Sequence, residues 1–304
     1  MPKLIIVGSG ITGLITALKY SGDVIILEKN KIVANNSKAS LWSIIPPLCS
    51  NHREDCEKGM RFYEEICEKY GIYCKKTHIL RVSSKKIGGK IVDRKEIRGF
   101  EPQLNIEEAE FFENGLFVEG DELFSILETE FNIKSNSEVT DILVKDNEIK
   151  SLLTSKGEVK GEFYIFATGY LTPKLFSKLG IEVNLFKGHL IITKKTSLNG
   201  ILIVNDRIAV EGKNLYLNGD SKQNSSMTID YDEISKTINE IGRVLKIDTT
   251  NLEIRVGFRS VSKDREPIVK KIYSNAILIT GYRFGFALAP VLAEKAIQMI
   301  KYGH

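Results

Sequence analysis

The sequence predicts an α/β protein. A Rossmann-like dinucleotide-binding domain, with a mainly parallel sheet and a small antiparallel meander, is joined discontinuously to a second domain built on a large antiparallel sheet (α+β). Three observations carry this reading. Residues 3–29, KLIIVGSGITGLITALKYSGDVIILEK, hold an apolar run, a G-x-G-x-x-G spacing, a helical stripe and a second apolar run. Residues 186–217 alternate around turns at Asn199-Gly200, Asn205-Asp206 and Gly212-Lys213-Asn214, a pattern of antiparallel strands. Finally, AILIT at 276–280 runs into Gly281-Tyr282-Arg283-Phe284-Gly285-Phe286 and a helix, repeating the strand, glycine turn and helix of the beginning.

Each element follows from its residues. Residues 4–7 are apolar without alternation, as in a strand buried on both faces. Gly8 allows the tight turn, Gly10 admits a pyrophosphate to the backbone, and Gly13 lets the helix of residues 10–20 pack on the strand. That helix offers unpaired N–H groups to an anion. Ser9 lies inside the turn, and Glu28, 20 residues after Gly8, ends the second strand where an acid meets a ribose. Within residues 32–47, the small and polar stretch from Ala34 to Ser40 suits a loop beside a ligand, or a plain polar connector. Residues 53–70 carry a helical stripe stopped by Gly71. Strand-like pieces follow at 79–83 and 89–93, then a helix start at 94–104 and an apolar, aromatic piece at 106–118. Asp121 is expected to N-cap a helix over 122–131. Residues 139–145 and 148–154 form a meander around Asp146-Asn147. A buried strand, 162–169, ends in Ala167-Thr168-Gly169, small residues that let backbone lie against a cofactor. Pro173 opens a helix to residue 179, closed by Gly180. Helices are also expected over 232–246 and 287–301, with a strand at 255–262.

At 304 residues the chain is long enough for two domains, and 42% hydrophobic and 27% charged residues are ordinary for a globular protein. The net charge of +4 is scattered, so it argues neither for a nucleic-acid partner nor for a membrane surface, and no nucleic acid is expected; no apolar run is long enough for a membrane span. Met1-Pro2-Lys3 leads straight into a core strand, so a cytoplasmic location is expected. Cys49, Cys56, Cys67 and Cys74 fit no common zinc or iron–sulfur spacing and are expected as reduced, partly buried thiols, with no metal. Abundant Ile, Lys and Glu hint at a thermophile.

With both ends in view, the chain resembles the D-amino acid oxidase/glycine oxidase family of FAD-dependent oxidoreductases over nearly its whole length. The resemblance is carried by VGSGITG with Glu28, NNSKASLWS (35–43), LVKDNEI after Val139, FYIFATG, KGHL (187–190), LNGD (217–220), VGFRSVSKDREPIV (256–269) and TGYRFGFALAP (280–290). It implies an FAD-binding domain of residues 1–75, 115–183 and 252–304, with a substrate domain of residues 76–114 and 184–251. It also implies that Ile11 and Thr12 bind the diphosphate, Glu28 and Lys29 the adenosine, and the Val139 backbone the adenine. Asn35, Asn36, Ser40, Leu41 and Trp42 would line the flavin, and Tyr282 to Phe286 would wrap it.

The same resemblance makes Arg259, in GFRS, the grip for a substrate carboxylate, a task suited to the planar guanidinium fork. Arg283 falls in a turn one residue shorter than in glycine oxidase-like members, near substrate or flavin. Ser260 replaces the family proline and Tyr282 the family histidine. Arg207 and Ile208 stand where a sheet aromatic is usual, so Arg207, Arg259 and Arg283 could form a cationic pocket for a dicarboxylate or phosphate-bearing compound. The implied reaction is hydride transfer from the α-carbon of an amine or amino acid to flavin N5, giving an imine that hydrolyses to a keto acid and ammonia. Oxygen, a quinone or a protein would reoxidise the flavin. No general base is assigned: His52, His78, His189 and His304 read as structural or surface residues. Two alternatives stand beside this reading. One is an FAD dehydrogenase of a hydroxy compound such as glycerol 3-phosphate or a 2-hydroxy acid. The other is a flavin-binding subunit of a dehydrogenase complex, to which the cysteine cluster and short length point. Association into a homo-oligomer is compatible with all three.

Overall fold

The computed structural model describes residues 3–176 and 179–302. His304 and part of the helix expected after Pro173 therefore lie outside the described residues. The chain forms two compact units: residues 1–38, 123–186 and 258–304 make the first, and 39–122 and 187–257 the second. By this division residues 39–75, 115–122 and 252–257, expected with the cofactor domain, fall in the second unit, and 184–186, expected with the substrate domain, in the first.

The first unit is built on a six-stranded sheet in the order Ile268–Tyr273, Ala276–Thr280, Phe163–Phe166, Leu4–Val7, Val24–Leu27 and Asn132–Lys134. Its strands are parallel except the outermost, Ile268–Tyr273, which runs antiparallel to Ala276–Thr280. The edge strand Asn132–Lys134 was not foreseen, because three residues are too few for periodicity to register. Leu4, Ile5 and Ile6 are fully buried, as a continuous apolar run requires. The opening helix, Ile11–Lys19, packs beside the final helix, Gly285–Tyr302, and Lys19 pairs with Glu294 at 3.2 Å. A three-stranded meander, Val139–Lys145, Glu148–Thr154 and Gly157–Val159, closes the core on one face. Val139, Ile149 and Leu152 there pack with Ile5, Val7 and Leu27.

The second unit centres on a 10-stranded, mainly antiparallel sheet. The strand Ile201–Val204 pairs in parallel with Cys74–Val82. Its core joins Leu80, Ile97, Leu202 and Leu217 to Ile234 and Ile241 of the helix Tyr231–Gly242. The helix Arg94–Phe100 starts with a complete capping box, Asp93 and Glu96 bonding each other's backbone amides. The helix Arg53–Tyr70 ends on left-handed Gly71, as the sequence implied.

Two expectations are corrected. The four cysteines are not free thiols: Cys49 pairs with Cys56 and Cys67 with Cys74. Each pair is seven residues apart, one partner inside the helix Arg53–Tyr70 and the other just outside it, so each chain reversal at a helix end brings two sulfurs together. Asp121 is not a cap, since the helix Gly120–Glu130 begins before it. Its carboxylate instead takes the Arg255 fork through bonds of 2.8 and 2.9 Å.

Candidate functional site

The carboxyl ends of four parallel strands, at Val7, Leu27, Phe166 and Thr280, form one edge of the first unit's sheet. Ligands of doubly wound sheets bind at this kind of edge. The three glycines there differ in purpose. Gly8 has φ +105°, and a Cβ on it would lie 2.5 Å from the Ala167 carbonyl oxygen. A Cβ on Gly13 would overlap the Gly8 carbonyl. These two are glycine so that protein can meet protein. Gly10 has only the Ser37 hydroxyl in reach of an added Cβ, at 3.2 Å, which leaves its surface to a ligand. The opening helix has no acid in its first turn and no side-chain cap. The Ile11 amide donates to Ser37 Oγ at 3.0 Å, while the Thr12 and Gly13 amides have no protein acceptor among the described residues. Aligned free donors at a helix start favour an anion.

Glu28 is buried at the end of its strand. One oxygen accepts from the Ser9 amide and hydroxyl at 3.1 and 2.6 Å, and the other from the Asn30 amide at 2.8 Å. Oε2 is thus filled by Ser9, and Oε1 keeps one acceptor site for a ligand hydroxyl. Lys29 stands 5.7 Å from the centre of the Tyr170 ring. Val139 is buried in the meander core, so any outward role falls to its backbone. At the next strand end, the Thr168, Thr172 and Thr280 hydroxyls form a chain with 2.9 Å links, and Gly169 turns with φ +51°.

One strand organises the rest. Glu253–Ser262 is tied at Phe258 to the Asn36 side chain, whose amide donates to the Phe258 carbonyl at 2.8 Å while its oxygen accepts from the Phe258 amide at 2.7 Å. Four residues on, the Ser262 amide donates to the Gly281 carbonyl at 2.9 Å. Arg259, half-buried, lies between these anchors. Gly281 is left-handed at φ +76°, as is Phe284 at +55°. The Tyr282 hydroxyl meets the Thr12 hydroxyl at 2.5 Å, so the first and last glycine turns touch. Burial pushes the Tyr282 phenol up to about 12, and it serves as a neutral hydroxyl. Gly285 opens the final helix, and Phe286 is buried against Phe124, edge to face.

Asn35 is exposed in its loop. Ser40, Leu41 and Trp42 belong to the second unit. Trp42 adopts φ +57° and is 1% exposed, its indole set edge-on to Tyr216 at 5.3 Å. Arg207 is not a pocket residue: it is buried in an ion cluster with Glu233 at 3.0 Å and Glu240 at 3.5 Å. His189 is equally committed, facing Asp220 through Nδ1 at 2.6 Å while Nε2 accepts from the Asp230 amide. Ser37, which finishes the helix start in place of a cap, was missed. It lies 26 residues from Ile11 in sequence, and no local pattern announces the contact.

Comparison with known proteins places the chain in a family. The family model of FAD dependent oxidoreductases matches residues 3–299, and the chain belongs to that family. It is therefore an FAD-dependent oxidoreductase, and the open Gly10 surface, free helix amides and Glu28 carboxylate fit a dinucleotide of that kind. No curated protein matches the sequence. Among solved structures, glycine oxidase from Bacillus cereus ATCC 14579 is similar with a TM-score of 0.86 at 20% identity, covering 100% of this chain and 96% of that one. L-proline dehydrogenase from P.horikoshii gives 0.84 at 18%, covering 99% and 94%. L-alpha-glycerophosphate oxidase from Mycoplasma pneumoniae, solved with FAD bound, gives 0.81 at 16%, covering 99% and 95%.

Proposed function

We propose that this chain oxidises an amine or amino acid whose carboxylate is held by Arg259. FAD, when bound, would supply the two-electron acceptor, at flavin N5, for the hydride of the substrate α-carbon. In this reading Gly10, Ile11 and Thr12 receive the diphosphate, and Glu28 and Lys29 the adenosine. Asn35 and Asn36 flank the flavin, with residues 167–169 and 281–286 completing its surroundings. The single observation that carries the proposal is the pinning of Arg259's strand, at Phe258 to the Asn36 loop and at Ser262 to the Gly281 turn. A guanidinium on so fixed a strand can orient a carboxylate with little loss of freedom on binding. The amine arrives neutral, so no side chain need take its proton. The imine leaves to be hydrolysed to a keto acid and ammonia, and oxygen, a quinone or a protein takes the electrons.

The reading as an assembly subunit loses its cysteine motive, because the four thiols are spent on each other. Oxidation of a hydroxy acid or hydroxy phosphate by the same fold is the second reading, favoured by the arginines beside the last turn. Anaerobic bleaching of the yellow protein by a panel of amines and hydroxy compounds separates the two. Arg259→Ala is expected to keep its flavin spectrum and lose roughly 2–5 kcal/mol of carboxylate binding. Unchanged turnover in that variant removes Arg259 from the site.

A further inference from the structure

The loop of residues 263–267 and the turn of residues 281–285 are fixed side by side. The Ser262 amide bonds the Gly281 carbonyl at 2.9 Å, and Ile268 stands opposite Thr280 in the adjoining ladder. A Cβ on Gly281 would lie 3.0 Å from the Ile268 side chain and 3.2 Å from that of Ser262. The loop is internally braced: the Ser262 hydroxyl donates to the Glu266 carbonyl at 2.7 Å, and Asp264 accepts from the Glu266 amide at 3.1 Å. Each of the two segments carries an exposed arginine, Arg265 and Arg283. No described carboxylate lies within ion-pair distance of either. Arg255 and Arg207, by contrast, each have carboxylate counter-ions, in Asp121 and in Glu233 and Glu240.

Arg265 also sits at φ +67° and follows immediately on Asp264 in the braced loop. A residue with a side chain is disfavoured in that conformation, and such outliers gather at ligand sites. Arg283 stands 5.6 Å from the centre of the Phe284 ring. Partial desolvation and the like charge of Arg265 both lower its pKa, yet a guanidinium remains charged at any ordinary pH. Two like charges held together without a protein counter-ion are stabilised by an anion that enters from outside.

We infer that Arg265 and Arg283 select a substrate with a second anionic group, a carboxylate or phosphate, beyond the carboxylate on Arg259. This deepens the proposed function and rests on its placement of Arg259. Arg265 is a specificity residue here and takes no part in the chemistry.

The test uses matched pairs on the purified holoenzyme under anaerobic conditions: alanine with aspartate, glycine with iminodiacetate, and serine with phosphoserine. The doubly anionic member is expected to bleach the flavin with at least about tenfold higher kcat/KM, mostly through KM. Arg265→Gly suits the left-handed backbone, so it folds. It should abolish the preference while leaving kcat for the neutral member unchanged, and Arg283→Gln should also lower the preference. Equal efficiency within each pair, or a preference that survives Arg265→Gly, overturns the inference and leaves the amine reading standing. If no amine bleaches the flavin, that reading fails, and binding decides this one alone. Succinate, inorganic phosphate and acetate are titrated into the oxidised enzyme and followed by flavin absorbance. Tighter binding of succinate or phosphate than acetate, lost in Arg265→Gly, supports the pair and tells a carboxylate from a phosphate partner. Equal affinities overturn it.

Discussion

In the first unit, polar groups stand without a partner among the described residues: the Thr12 and Gly13 amides, one acceptor site on Glu28 Oε1, and the guanidiniums of Arg265 and Arg283. The second unit buries at least as many charges and closes nearly all of them. Glu101 accepts from His78, Gln103 and the Asn199 and Gly200 amides. Glu110 accepts from Arg81 and three successive amides, Ile87 to Gly89, and those donors hold both carboxyls below the usual range against their burial. A satisfied buried carboxylate works as a brace, and an unsatisfied donor works as a binding group. By this test the binding groups concentrate in the first unit, whereas much of the second unit's polarity serves its own rigidity.

Substitutions can break or sharpen that contrast. Gly13→Ala should cost most, at or beyond the upper end of the roughly 1–3 kcal/mol of overpacking, because its Cβ meets a backbone carbonyl that cannot move aside. Both melting temperature and FAD content should fall. Gly10→Ala should lower FAD content alone, and equal melting losses in the two variants would erase the distinction between packing glycines and ligand glycines. Reducing the disulfides should remove roughly 2 kcal/mol per bridge, read as a lower melting temperature with a reductant such as TCEP.

A smaller effect is expected from acid. Burial would raise the Glu233 carboxyl, but Lys236, Lys222 and Arg207 outweigh it and hold it down to about 2. Its folded value lies below its unfolded one, so its stabilisation is present above about pH 4.5 and is lost as the pH falls toward 2. Glu233→Gln should flatten that acid limb in a denaturation series, and an unchanged limb would show that the cluster contributes nothing. Tyr282→Phe should cost least, about 1 kcal/mol for one hydrogen bond, with the flavin spectrum retained.

The sequence exposed those parts of the fold whose causes are local. Leu4–Val7, Val24–Leu27, Glu148–Thr154, Arg53–Tyr70 and Ala276–Thr280 appear where the residue pattern sets them. Each is decided by its own hydrophobic run and its own stop signal. What stayed hidden depends on partners remote in sequence. Arg207 could be mistaken for a pocket residue because Glu233 and Glu240 are a helix away. The disulfides were missed because a reducing compartment was assumed and the spacing matched no metal pattern. Asp121 looked like a cap until Arg255, 134 residues distant, was seen to hold it. At the candidate site, the first glycine turn was legible from spacing alone. The left-handed Arg265 was not, since nothing in KDREP distinguishes a strained arginine from an ordinary turn.

The first unit is assembled from three separate stretches of chain, the last beginning at residue 258. A polypeptide still emerging from the ribosome can form the opening strand and helix early, but the Thr12–Tyr282 contact must wait until the end of the message has been read. Stable FAD retention is thus coupled to near-complete translation, and a chain arrested before the last strand should emerge colourless.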